Sequence, residues 1–153
     1  MGAALVLAFS LTLPWYATQP DNENSTINGL HSPDGAGEAG VFTAFQTFTF
    51  LEFLLLAACI APFVLGWIVV RGHQVGWNRG EVTAIVGALA LTLILLNGVI
   101  LGQPGDGPAG GPDAGVEVSL TWGYPIAVLA AVVIVVTGAM RGAKGRKKQP
   151  PGV

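Results

Sequence analysis

Basic side chains are missing from all but two short stretches of this chain. The seven Lys and Arg residues are Arg71 and Arg79, which flank one polar segment, and Arg141, Lys144, Arg146, Lys147 and Lys148, which crowd the C-terminal end. Charge of either sign is scarce: 10% of the 153 residues are Asp, Glu, Lys or Arg, against about 25% in an average soluble domain. With 52% of the residues hydrophobic, a water-soluble core of this size could not hide the apolar surface. Lipid is therefore the expected solvent for much of the chain. A single cysteine, Cys59, excludes an intrachain disulfide. The two histidines, His31 and His73, lie in different polar segments, which excludes a haem held between facing helices. Few and clustered cations, without an aromatic platform beside them, exclude nucleic-acid binding. No nucleophile–base constellation, phosphate-binding glycine loop or pair of catalytic carboxylates is present, so neither an enzyme nor a cofactor or metal site is expected.

What the chain does have is four long apolar runs, at about residues 1–17, 42–70, 82–101 and 120–140. About 20 apolar residues in a helix cross ~30 Å of hydrocarbon. The runs lack the two-residue alternation of barrel strands, so each reads as a helix. The expected fold is all-α: a polytopic, antiparallel bundle of four transmembrane helices forming one domain. Residues 18–40 and 103–118 carry acids but no Lys or Arg, while 71–80 and the tail 141–153 are basic. The positive-inside rule then places the acidic loops outside the cell membrane and both termini in the cytoplasm. Trp15, Tyr16, Trp122 and Tyr124 are expected as aromatic anchors at the outer interface, with Trp67 and Trp77 at the inner one.

Local signals refine this picture. The first run is short, which implies tilt, local bilayer thinning or a start upstream of Met1. The second is long and contains Pro62, a kink site. Asn78, with Glu81 three residues on, forms a capping box for the third helix. Asn28-Gly29 and Pro33-Asp34-Gly35 are turn signals in the first outer loop, and the Gly/Pro-rich second loop reads as flexible. Gly138-x-x-x-Gly142 and the Ala84/Ala88 pair mark faces where helices can approach closely, within the chain or between copies.

Glu52 stands out as the ionisable residue inside a run. With a helix beginning near residue 42, it would lie roughly 15 Å below the outer interface, at about 1.5 Å per residue. Intramembrane carboxylates are functional candidates. Antiparallel pairing brings Thr92 to a similar depth and Asn97 nearer the outside, giving a candidate polar cluster of Glu52, Thr92 and Asn97. The cluster reads either as interhelical hydrogen bonding, the favoured sense, or as a proton or cation site. The tail residues Arg141, Lys144, Arg146, Lys147 and Lys148 are expected to bind anionic lipid headgroups at about 1 kcal/mol each.

Three stretches carry a likeness to a known group: Leu13-Pro14-Trp15-Tyr16, Phe42-x-x-Phe45-Gln46-x-Phe48 leading to Glu52, and Trp122-Gly123-Tyr124. In these the chain resembles small four-helix integral membrane proteins of high-GC Gram-positive, actinobacterial-type bacteria. The resemblance implies a fold and a compartment but no activity. The leading functional expectation is a non-catalytic accessory or scaffold subunit, packed against other membrane proteins or copies of itself. The alternative is a small channel or transporter using Glu52. Adhesion through the outer loops ranks third.

Overall fold

Pro14 decides how the chain begins. The helix α1, Gly2–Ser10, closes with Ser10 Oγ donating to the Leu7 carbonyl at 2.6 Å and Thr12 Oγ1 to that of Phe9 at 2.8 Å. A proline cannot continue a helix and pushes the residue before it into extended backbone. The strand β1, Pro14–Thr18, therefore follows directly. In the computed structural model the described residues are 1–23, 25–48, 50–71, 78–96 and 118–146. After β1 come β2 (Val41–Thr43), the short helix α2 (Ala44–Thr47), α3 (Leu51–Val70), α4 (Arg79–Leu95), β3 (Val118–Leu120) and α5 (Gly123–Arg146).

The three strands form one antiparallel sheet in the order β2-β1-β3. This overturns the all-α expectation. Five helices accompany the sheet, and among the described residues two of them are long and apolar enough to cross a membrane, rather than four. The causes are local. At about 1.5 Å per residue, the nine residues of α1 cover about half of a bilayer's hydrocarbon. The second run does not form one helix, because Thr43 ends β2 opposite Pro14 and then opens α2. Thr43 Oγ1 accepts from Gln46 N at 3.4 Å, and Thr43 N donates to Gln46 Oε1 at 2.9 Å, a reciprocal capping box. β-branched and aromatic residues at 41–43 favour the strand. The long helix starts only at Leu51, after an extended Phe48.

Segment 18–40 is tied to the sheet and to α2 by hydrogen bonds. Thr18 donates its backbone N–H to the Gly40 carbonyl (3.0 Å). Its hydroxyl accepts from Gly40 N (2.9 Å) and donates to the His31 carbonyl (2.5 Å). Asn28 and Gly29 sit at φ 54° and 76°, as a two-residue hairpin turn requires, and Ile27 bridges Leu30 across them. Ile27 is fully buried, and Asn28 Nδ2 donates to the Gln46 carbonyl at 2.9 Å, docking the turn on α2.

Asn78 caps α4, as its position implied. Its Oδ1 accepts from Gly80 N at 3.1 Å, and its Nδ2 also donates to the Gly142 carbonyl at 3.0 Å. α4 and α5 run antiparallel in close contact. Gly80 faces Gly138 and Gly142, Ala84 faces Gly138, and Gly87 faces Ile134. The Gly138/Gly142 pattern therefore serves packing within the chain, where small residues let two backbones meet. α1 packs on α3 and α5, and α3 packs on α4, around an apolar core that includes Leu7, Leu11, Leu55, Ala90, Ile94 and Ala131.

Each long helix turns only one stripe inward. On α3 the buried positions are Leu51, Glu52, Leu55, Ala58, Cys59 and Pro62; on α5 they include Tyr124, Ala127, Ala131, Ile134 and Gly138. The most apolar windows, 51–68 and 123–143, both have a mean hydropathy of 2.2, yet only 28% and 33% of them is buried. Phe53, Ile60, Val64, Leu129, Val133 and Val136 point outward. A core helix of a soluble protein would be covered, whereas large uncovered apolar faces mark contact with lipid or protein.

The glycine contacts make a graded prediction. A Cβ on Gly138 would lie 2.5 Å from Ala84 N and 2.9 Å from Ala84 Cα, both rigid backbone, while one on Gly142 first meets the movable Glu81 Cγ at 3.2 Å. Gly138→Ala is expected to cost about 1–3 kcal/mol, as overpacking does, and Gly142→Ala much less. Thermal unfolding of the two variants in detergent checks the order.

Candidate functional site

Four aromatic rings join the sheet to the helices. β1 supplies Trp15 and Tyr16, both fully buried although neighbours on a strand normally face opposite sides. A register shift between Pro14 and Tyr16 in the pairing with β2 breaks the alternation. Trp15 meets Tyr124 edge-on at 5.6 Å and Phe48 at 6.2 Å, while Tyr16 meets Phe48 at 6.0 Å and Tyr124 at 6.3 Å. Edge-to-face contacts of this kind add about 0.5–1.5 kcal/mol each beyond buried area.

Two of the three polar handles are satisfied by helix ends. Trp15 Nε1 donates to the Ser10 carbonyl at 2.7 Å, and the Tyr124 hydroxyl donates to the Ile94 carbonyl at 3.0 Å. Both carbonyls belong to the last turns of helices, and that of Ser10 also accepts from Leu13 N at 3.1 Å. The rings thus tie the end of α1 and the end of α4 to the start of α5.

Two polar atoms in this region remain without a hydrogen bond: the Tyr16 hydroxyl and Oε2 of Glu52, both fully enclosed. Tyr16 lies against Phe48, and Glu52 follows Phe48 by four residues. Burial, with Tyr124 beside it, raises the Tyr16 hydroxyl well above the usual tyrosine range, so it stays neutral. An enclosed polar atom without a partner costs about 1–3 kcal/mol. The unpartnered Tyr16 hydroxyl is what distinguishes this junction chemically: it can both accept and donate a hydrogen bond.

Two members of the expected polar cluster, Glu52 and Thr92, lie among the described residues. Glu52 is the second residue of α3, in its first turn, not ten residues down a continuous helix. It is 6% exposed, and its carboxylate sits at the positive end of the helix dipole. Thr92 is on an exposed face of α4, away from the core that encloses Glu52. Asn97 lies outside the described residues. Of the lipid-binding set, Arg141 is exposed, and Lys144 and Arg146 fall on the last turn of α5, which continues as helix through Arg146; Lys147 and Lys148 lie outside the described residues.

The residues that build the junction were read as interface anchors. That role fits the exposed Trp67 and Trp122, whereas Trp15, Tyr16 and Tyr124 are buried; Trp77 lies outside the described residues. The signal that could have found them is Pro14 followed by two adjacent large aromatics, too bulky for both to stay outside a short turn. Among the described residues no three His, Cys, Asp or Glu side chains gather as metal ligands. His31 in the outer segment has its Nε2 2.8 Å from the Glu23 carbonyl.

No protein-family model, curated protein or solved structure matches this chain. Its function has to be argued from the geometry above.

The two tyrosines give opposite expectations. Tyr124→Phe removes the only bond described for its hydroxyl and leaves the Ile94 carbonyl buried, so it is expected to lower stability by about 1–3 kcal/mol. Tyr16→Phe removes a buried hydroxyl that has no partner and is expected to be neutral or stabilising. Melting curves of both variants, measured side by side, test this; equal losses would mean that the Tyr16 hydroxyl is bonded.

Proposed function

We propose that this chain is a multi-pass membrane protein that works without catalysis of its own, as an accessory or scaffold subunit held against other membrane proteins or copies of itself. The observation that carries the reading is the outward surface of α3 and α5: two long apolar helices with about a third or less of their spanning windows buried. Exposed aromatics continue this surface toward the sheet, at Phe45, Phe50 and Phe53. In a bilayer these side chains meet acyl chains or another protein rather than water.

The orientation follows from direction and charge. α3 and α5 both leave the sheet and run toward basic ends, at Arg71 and at Arg141–Lys148. Two parallel spans require a return crossing between them. The 17 residues of α4, about 26 Å at 1.5 Å per residue, supply most of that length. The positive-inside rule assigns the basic ends to the cytoplasm and the sheet with segment 18–40 to the outside. Arg141, Lys144, Arg146, Lys147 and Lys148 then face the anionic inner leaflet. A transport role would need a polar path through the helices. Thr92 lies on an exposed face, and among the described residues Glu52 Oε2 has no hydrogen-bond partner that would begin such a path.

Two outcomes are expected. In a Cys59→Ala background, a membrane-impermeant maleimide added to intact cells labels Ser119→Cys and leaves Lys148→Cys unlabelled; the reverse pattern would invert the threading. Mild solubilisation from native membranes, followed by mass spectrometry, recovers the chain with stoichiometric membrane proteins or as a multimer. Recovery as a lone monomer would remove the scaffold reading.

A further inference from the structure

We propose that the cytoplasmic half of α3 carries a binding site for one anionic phospholipid, with an acyl chain in a groove beside Trp67 and the phosphate on Arg71. The groove is a cavity of about 490 Å³ lined by Met1, Phe63, Val64, Gly66, Trp67 and Val70. Its volume falls in the range of roughly 300–1,000 Å³ typical of small-molecule sites. Every lining side chain is apolar. Gly66 keeps the floor low, since the end of the Met1 side chain lies against the space a Cβ would take. Trp67 and Val70 form exposed edges.

The charge at one end decides the occupant. Arg71 lies one turn beyond Trp67 toward the end of α3, its guanidinium carbon 4.8 Å from the indole centroid. A cation–π contact holds the guanidinium in place over the ring. It leaves N–H donors for a phosphate, which a guanidinium binds in bidentate fashion. Tryptophan prefers the level of the headgroups, so Arg71 stands at phosphate depth and the groove runs toward the hydrocarbon. An apolar slot capped by one fixed cation matches a lipid with a net negative headgroup better than a zwitterionic one. Among the described residues, none from the basic tail lines the groove.

The inference rests on α3 lying in the bilayer, and the experiment separates the two ideas. The full chain is extracted in detergent, incubated with equal amounts of phosphatidylglycerol and phosphatidylcholine, and examined by native mass spectrometry. One phosphatidylglycerol per chain is expected to stay bound. Arg71→Gln is expected to reduce that adduct about fivefold, the worth of one basic group near a lipid surface. Val64→Trp, which fills the groove from an exposed position, is expected to abolish it. Replacing Arg141, Lys144, Arg146, Lys147 and Lys148 together by Gln should leave it intact. Equal retention of both lipids, an adduct that survives Arg71→Gln and Val64→Trp, or one lost with the tail charges would overturn the site while leaving the membrane reading standing. A chain recovered from the aqueous fraction without detergent would overturn both.

Discussion

The structure depends on how a strand is fastened to helix ends. Trp15 and Tyr16 enter from β1, Phe48 from the link between α2 and α3, and Tyr124 from the first turn of α5. The indole and the Tyr124 hydroxyl bind the terminal carbonyls of α1 and α4. Each bond also gives a buried ring's polar group its partner, without which that group would be costly to enclose. The sheet above and the helices below are held together through this layer.

A second close contact works at the opposite end. Glycines 80, 138 and 142 bring the backbones of α4 and α5 together, and Asn78 bonds across them to the Gly142 carbonyl. One end of the helices is thus fixed by the largest side chains and the other by the smallest. Between them, α3 and α5 leave apolar faces uncovered along their length.

Much of the helical content was legible in the sequence, and the reason is physical. Long apolar runs have few alternatives in lipid, and Asn78 announced the start of α4 through its capping chemistry. The turn at Asn28-Gly29 was legible for the same kind of reason, a positive φ that few residues tolerate. The sheet was not. Its strands are three to five residues long, and two of them lie inside what reads as continuous apolar helix, so length and hydropathy conceal them. The capping box at Thr43 and Gln46 carried the missing information, because it marks a helix start well inside the second run. Overlooking it moved Glu52 from the first turn of α3 to an imagined mid-membrane depth. That error produced the expected cluster with Thr92, which the helix phase of α4 turns outward. Tyr16 and Tyr124 read as interface anchors because an interfacial aromatic and a buried one look alike until a strand shows which way it faces.

The sheet joins parts of the chain that are made far apart in time. Ser119 pairs with Ala17 across 102 positions of sequence. At roughly 5–20 residues per second of synthesis, the central strand is complete about 5–20 s before its second neighbour, β3, exists. Through that interval one edge of β1 stays open to other chains while α4 and the segment after it are still being made. The cap is therefore the last part of the molecule to close, and any factor that shields a nascent strand would have that interval in which to act.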